Sequence, residues 1–163
     1  VVMGTGTSIV VDVSGLAALD RLVTRLSAFD ATELMSAVGA MGESQTRRRI
    51  TDEKTAPDGT AWAPNREGTS ILLKSGEHLL GSLAWDASGT QAEWGASWEY
   101  AHVHQDGAVI NPKTAKQLSF MLGGKLVHAK SVTIPARPFV GLSADNIEEI
   151  CRLITDVFGG LLQ

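Results

Sequence analysis

The pair His102 and His104 is a candidate for a metal-binding or catalytic site. Residues two apart lie on one face of a β-strand, so an extended segment would bring both imidazoles together. With Asp106 or His128 they could bind a divalent metal, and such a site could support a small metal-dependent hydrolase. No other residues have metal-ligand spacing, and HExxH and CxxC motifs are absent. We favour the simpler interpretation, in which His104 and Gln105 bond backbone groups at the following turn, and predict no metal or cofactor.

Patterns typical of other catalytic sites are missing. The sequence has no GxSxG motif, and Gly4-Thr5-Gly6 lacks the rest of a dinucleotide fingerprint. The neighbouring carboxylates Glu148 and Glu149 fall where a predicted helix side meets solvent. We therefore predict that the protein is not an enzyme.

Basic residues form the densest charge cluster. Arg47, Arg48 and Arg49 are consecutive near the end of a predicted helix, where cations interact favourably with the helix dipole. Arginines in such a run can also contact phosphates, which would make a nucleic-acid-binding protein an alternative. The net charge of −4 argues against free-standing DNA binding, but not against DNA inside an assembled ring. Further candidates for DNA or an acidic partner are Lys113, Lys116, Lys125 and Lys130.

Charges are also segregated along the chain. Residues 75–112 contain acids but no Lys or Arg, and residues 113–144 contain bases but no Asp or Glu. Opposite surfaces of this kind could pair head to tail between copies, although two unrelated solvated surfaces would give the same pattern. The acids are Glu77, Asp86, Glu93, Glu99 and Asp106.

The segment 133–142 is conformationally restricted. Pro135 and Pro138 fix their own φ angles and bias the preceding residues toward extended structure. The resulting arm carries Arg137 and Phe139 and leads into a helix opened by Ser143. Because a preformed arm loses little entropy on docking, we expect a recognition or assembly element. A rigid connector that only aims the last helix is the alternative.

Apolar periodicity and turn residues predict an α+β fold, an antiparallel β-sheet with helices packed on one face. We predict one domain over 1–163. It comprises an N-terminal strand (Thr7–Val13) and two helices within 7–50, a loop over 51–74, a sheet over 82–134 and a C-terminal helix over 144–158. Hairpin turns are expected at Ser88-Gly89 and Gly123-Gly124, and Gly159-Gly160 should stop the last helix.

Other sequence features indicate the cellular compartment in which the protein is made. No apolar run is long enough to span a membrane, and the first residues lack the pattern of a secretory signal. The single cysteine, Cys151, fits a reducing cytoplasm and falls among apolar helix positions, so we expect it to be buried.

Five motifs occur in an order that resembles a known family. They are PDGTAW (57–62), LKSGEHLLGS (73–82), WG (94–95), YAHVHQDG (100–107) and IPARPFVGLS (134–143). In this order they are similar to the phage virion morphogenesis family, the tail-completion proteins of Mu-like and P2-like tailed bacteriophages. The chain departs from the family pattern at Asp106 and in its long polar tip over 111–116.

The resemblance implies a non-enzymatic structural protein of the virion neck, assembled in the host cytoplasm. It would complete the tail and join it to the DNA-filled head as a subunit of a homo-oligomeric ring, expected to be a hexamer. Its partners would be connector or stopper proteins of the head and tail-terminator or tube proteins, with DNA in the lumen as a further candidate and no membrane. The expected assembly-interface residues are Tyr100, His104, Gln105, Pro135, Arg137, Pro138 and Phe139.

Overall fold

The computed structural model describes residues 16–73 and 76–162, and the predicted strand Thr7–Val13 lies outside them. Among these residues, a π-helical turn over Arg49–Glu53 and a 3-10 turn over Leu80–Ser82 accompany five α-helices, two of which are short. The α-helices are α1 (Leu16–Ser27), α2 (Ala31–Arg48), α3 (Gly76–Leu79), α4 (Ala101–Asp106) and α5 (Ala144–Leu162). The strands are β1 (Leu83–Ser88), β2 (Gln91–Ala96), β3 (Ala108–Ile110), β4 (Leu118–Leu122), β5 (Lys125–Ala129) and β6 (Val132–Ile134).

The strands pair in three antiparallel two-stranded sheets. Both predicted hairpins are present, as β1–β2 and β4–β5, while β3 pairs with β6. The turn between β4 and β5 uses Gly123 and Gly124 at φ angles of 57° and 78°, the left-handed values that favour glycine at both corners. The predicted α+β class is confirmed, with its strands divided among three small sheets.

Helix α2 packs directly on the β1–β2 hairpin through two glycines. A Cβ atom at Gly42 would lie 2.4 Å from Cδ2 of Trp94, and one at Gly39 would lie 2.9 Å from Cε3 of Trp85. The close neighbours of both glycines are thus the tryptophans of this hairpin. This contact sets the helical layer on one side of the β1–β2 sheet.

The core forms where motifs distant in sequence meet. The side chain of Phe139 is 1% exposed and lies in one cluster with Ile50 and Trp62. The other buried members of that cluster are Leu79, Leu83 and Ala101. The arm over 133–142 therefore packs onto the core of its own chain.

Helix α5 differs from the prediction in where it ends and in the exposure of Cys151. It continues through Gly159 and Gly160 to Leu162, since both glycines keep helical φ angles. Packing outweighs their propensity cost of about 1 kcal/mol each, because Phe158 contacts Phe29 with ring centroids 5.3 Å apart. Cys151, expected to be buried, is exposed.

Candidate assembly interface

The arm is held along its backbone by Gln105 and Trp62. The Gln105 Oε1 atom accepts hydrogen bonds from the backbone N–H groups of Phe139 at 3.0 Å and Val140 at 3.1 Å. Its Nε2 atom donates to the carbonyl of Val140 at 3.0 Å. Trp62 Nε1 donates to the carbonyl of Pro138 at 3.2 Å. Side chains from two other motifs thus satisfy the backbone of residues 138–140, which lie beyond strand β6.

Arg137 is buried and bonded to carbonyl oxygens. Its Nε atom donates to the Ala63 carbonyl at 3.0 Å, and its NH2 group donates to the Pro64 carbonyl at 3.3 Å. Its backbone N–H donates to the His104 carbonyl at 2.7 Å. Burial lowers the pKa of the guanidinium below its usual value. Within 16–73 and 76–162 this cation has no carboxylate partner, so it fastens the arm through neutral acceptors.

Arg49 fastens the other end of the arm. Its side chain is 1% exposed, and its NH1 group donates to the carbonyls of Phe139 at 3.2 Å and Gly141 at 2.7 Å. Its NH2 group donates to Asn146 Oδ1 at 2.5 Å. Burial lowers the pKa of this guanidinium as well. In this conformation Arg49 is not available to a phosphate.

The other two arginines of the run also have partners within the chain. Arg47 donates to Glu43 Oε1 at 2.5 Å and to the Leu80 carbonyl at 3.1 Å. Arg48 pairs with Glu53 at 3.0 Å and Glu149 at 3.1 Å, which raises the pKa of Arg48. The run therefore joins the end of α2 to its surroundings, and none of the three guanidinium groups is free of such contacts.

Ser143 caps α5 as expected from the sequence. The backbone N–H of Asn146 donates to Ser143 Oγ at 3.2 Å, and the backbone N–H of Ser143 donates to Asn146 Oδ1 at 3.2 Å. This reciprocal pair satisfies two helix-start donors. Because Asn146 Oδ1 also accepts from Arg49, the cap is tied to the end of α2.

His104 belongs to an aromatic stack centred on Trp98. The rings of His78 and His104 each stack on Trp98, with centroids 5.8 Å and 5.7 Å away, and Tyr100 meets Trp98 edge-on at 5.6 Å. Burial and the nearby Arg137 lower the pKa of His104. Its Nδ1 atom is buried and has no hydrogen-bond partner in the described structure.

The segment with the two histidines is helical rather than extended. On α4, positions two apart are rotated by about 200°, so His102 and His104 point to different sides. His102 is exposed, whereas His104 is half-buried against Trp98. In the part of the chain that the structure describes, no group of three His, Cys, Asp or Glu residues could hold a metal ion. The geometry that motivated a metal-dependent hydrolase is therefore not formed.

The remaining predicted contact residues are on the surface. The side chains of Lys113, Lys116, Lys125 and Lys130 are exposed, as are Pro135 and Tyr100, while Pro138 is half-buried. The predicted polar tip over 111–116 forms an irregular, largely exposed loop. Of the residues expected at the assembly interface, some are buried or half-buried and fix the arm, and the others are exposed on the surface.

Two clefts lie on either side of a wall formed by Trp98, His104 and Ile134. The first, of about 620 Å³, is bordered by the loop before α3, the β4–β5 hairpin and Arg137. The second, of about 660 Å³, is bordered by α4 and β3 and includes Tyr100 and Val109. Residues of the family-like motifs, among them His104 and Ile134, border both clefts, and other residues of each lining lie outside the motifs.

Sequence reasoning missed several residues that build this region. Arg49, Asn146 and Trp98 were not identified as a buried tether, its acceptor and the centre of a stack. No local signal marked Arg49, because the arginine run lies between polar residues at 43–46 and 51–54. A pattern of local spacing does not report contacts between residues about 90 positions apart, such as Arg49 and Phe139.

The chain belongs to the phage virion morphogenesis family, whose model matches residues 14–159. Members of this family are virion structural or morphogenesis proteins and are generally non-enzymatic. The chain is similar to Mu-like prophage FluMu G protein 1 of Haemophilus influenzae, with 28% identity over 131 residues, covering 73% of this chain and 74% of that protein. No solved structure matches the chain. None of the helices described here is long and apolar enough to cross a membrane.

Proposed function

We propose that the protein is a ring-forming structural subunit of a tailed-phage neck, where it completes the tail and joins it to the DNA-filled head. Membership of a virion morphogenesis family supports a role in the particle. The observation that carries the more specific proposal is the presence of exposed large apolar side chains on separate surfaces. They include Leu19, Val23 and Leu26 on α1, Met121 and Leu126 on β4–β5, and Val109 and Ile110 on β3.

Exposed apolar surface of this extent is typical of a protein that assembles with others. Several separate surfaces suit a ring subunit, which contacts neighbouring copies on two sides and other virion proteins above and below. In this proposal the ring is a hexamer in contact with connector or stopper proteins and with tail-terminator or tube proteins. The hydrogen bonds of Arg49, Gln105 and Arg137 fix the arm relative to the end of α2, to α4 and to the loop before α3.

DNA in the lumen is an additional proposed contact. The arginine run is bonded within the chain, so any phosphate contacts would come from the exposed lysines. Lysines on a ring wall would attract phosphate without reading base sequence.

A strain carrying an early stop codon in this gene tests the proposed function. We expect filled heads and separate tails in electron micrographs, and joined particles when the wild-type gene is supplied in trans. A variant with Leu83→Asp, which places a charge in the core, is a matched negative control for complementation. Normal yields of joined, infectious particles from the stop-codon strain would contradict the proposal.

A further inference from the structure

The β4–β5 hairpin is an incomplete structure in the isolated chain. It pairs with no other strand among the described residues, so both of its edges are open. An isolated two-stranded hairpin is marginally stable, and open edges and exposed apolar residues are features that neighbours usually cover. Met121 and Leu126 are cross-strand partners on one face of the hairpin, and each is 61% exposed.

The hairpin is nevertheless held in a defined position. The backbone N–H of Gly123, in its turn, donates to Glu67 Oε1 at 2.6 Å. Phe120, Met121 and Leu122 border the first cleft. The apolar pair Met121–Leu126 is therefore presented on a preformed projection, which lowers the entropy cost of binding.

The second cleft has the complementary character. It is concave, has a volume of about 660 Å³, and is bordered by Tyr100, Val109 and Ile110. Val109 is 63% exposed, so the cleft is an apolar surface open to solvent. Its volume lies within the range of clefts that bind ligands or side chains.

Exposed bases lie on the hairpin, and exposed acids lie close in sequence to residues that border the second cleft. Lys125 begins strand β5 and Lys130 follows it, and no Asp or Glu occurs between 113 and 144. Glu99 precedes Tyr100, and Asp106 is the last residue of α4. All four side chains are exposed, and none has an ion-pair partner among the residues described. Lys113 also borders the cleft, but it lies on the irregular loop over 111–116.

The same chain cannot bring its own hairpin into this cleft in the observed fold. The hairpin borders the first cleft, and none of its residues borders the second. A contact between the two surfaces must therefore come from a second copy. Because the two surfaces differ, the contact is heterologous. A pair of copies therefore still has one unoccupied hairpin and one unoccupied cleft, to which further copies add until the ring closes.

We infer that the β4–β5 hairpin of one copy inserts Met121 and Leu126 into the cleft formed by Tyr100, Val109 and Ile110 of the next copy. Lys125 and Lys130 lie against Glu99 and Asp106 across this contact. The inference deepens the proposed function, since it names the contact between neighbouring subunits of the ring.

Charge reversal with compensation tests this contact. One variant carries Lys125→Glu and Lys130→Glu, and a second carries Glu99→Lys and Asp106→Lys. Sedimentation velocity should show self-association of the wild type that weakens with added salt, and each variant alone should associate at least about tenfold more weakly. A chain with all four changes, or an equimolar mixture of the two variants, should regain most of the association.

Two further variants complete the design. Met121→Ser with Leu126→Ser should weaken association without reversing any charge. Asp86→Lys with Glu93→Lys reverses two exposed acids on the β1–β2 hairpin, away from the cleft, and should leave association unchanged. Thermal unfolding of each variant checks that the fold is retained, which is expected because every changed residue is exposed.

The outcomes separate this contact from the proposed function. Association of both reversed variants at the wild-type level, failure of the four-residue variant to recover, or a wild type that stays monomeric at low ionic strength would overturn the contact. The proposed function fails separately, if the stop-codon strain makes normal joined particles.

Discussion

Arg49 NH2 donates a hydrogen bond to Asn146 Oδ1 at 2.5 Å, and this bond joins the end of α2 to the first turn of α5. The same guanidinium donates to the carbonyls of Phe139 and Gly141 in the arm. One buried cation therefore fixes two helices and the arm relative to one another. Removing an acceptor of a buried charged group costs more than removing a neutral hydrogen bond.

Asn146→Ala should lower the free energy of unfolding by about 2 to 3 kcal/mol, because it removes the Arg49 acceptor and half of the α5 cap. Urea titration followed by circular dichroism measures the change. Asn146→Asp keeps the acceptor and the cap and adds a counter-charge, so it should be near wild type at pH 7. Equal losses in both variants would show that the bond does not stabilise this junction.

Gln105→Leu should loosen the arm selectively. The Phe139 and Val140 N–H groups and the Val140 carbonyl would lose their partner, at a cost of about 2 to 4 kcal/mol. Hydrogen exchange at these two amides should accelerate more than exchange in α2. Gln105→Glu retains both acceptor bonds and should give a smaller effect, and unchanged exchange at both amides in the Leu variant would contradict this assignment.

Glycine substitutions should have opposite effects at two helical positions. Gly42→Ala places a Cβ 2.4 Å from Trp94, so overpacking of about 1 to 3 kcal/mol should outweigh the gain in helix propensity. A Cβ at Gly159 meets no atom within 4 Å, so Gly159→Ala should stabilise the protein by up to about 1 kcal/mol. Thermal unfolding distinguishes the two, and a stabilising Gly42→Ala would refute the close α2–hairpin packing.

Stability should fall on mild acidification because of His104. Its pKa is lowered in the folded protein by burial and by Arg137, so the unfolded chain takes up this proton first as the pH falls. The stabilisation is present above the ordinary histidine pKa of about 6.5 and is lost as the pH falls toward the lower folded value. Urea titrations at pH 7.5 and 5.5 measure this difference, which should shrink in a His104→Phe variant that retains a ring on Trp98. His102→Phe, at an exposed position on the same helix, is the matched control and should retain the wild-type pH dependence.

The parts of the fold that could be predicted are those specified by local chemistry. Gly123-Gly124 indicates a two-residue hairpin turn, and Ser143 indicates a helix start; both are present. Residues of four of the five motifs, Trp62, Leu79, Gln105 and Phe139, come together around the arm, whereas Trp94 of the fifth packs against α2. The turn and the helix start could be predicted because each is determined by residues adjacent in sequence.

The features that could not be predicted depend on contacts between distant segments. Arginine is rarely fully buried, so a run of three at a helix end indicates surface. Burial of Arg49 is compensated mainly by acceptors far away in sequence, the carbonyls of residues 139 and 141 and Asn146 Oδ1. Helix α4 has six residues, too few for apolar periodicity to separate a helix from a strand, which is why His102 and His104 were placed on one face. The continuation of α5 through Gly159-Gly160 likewise depends on packing against α1.

A reconstruction of the head–tail joint by electron cryomicroscopy, from wild-type particles and from particles carrying a tagged copy of this chain, tests the assembly role most directly. We expect a closed ring of this protein between head and tail, with the β4–β5 hairpin of each copy inserted in the Tyr100–Val109–Ile110 cleft of the next. A joint that contains no copy of this chain would contradict its role as a neck subunit.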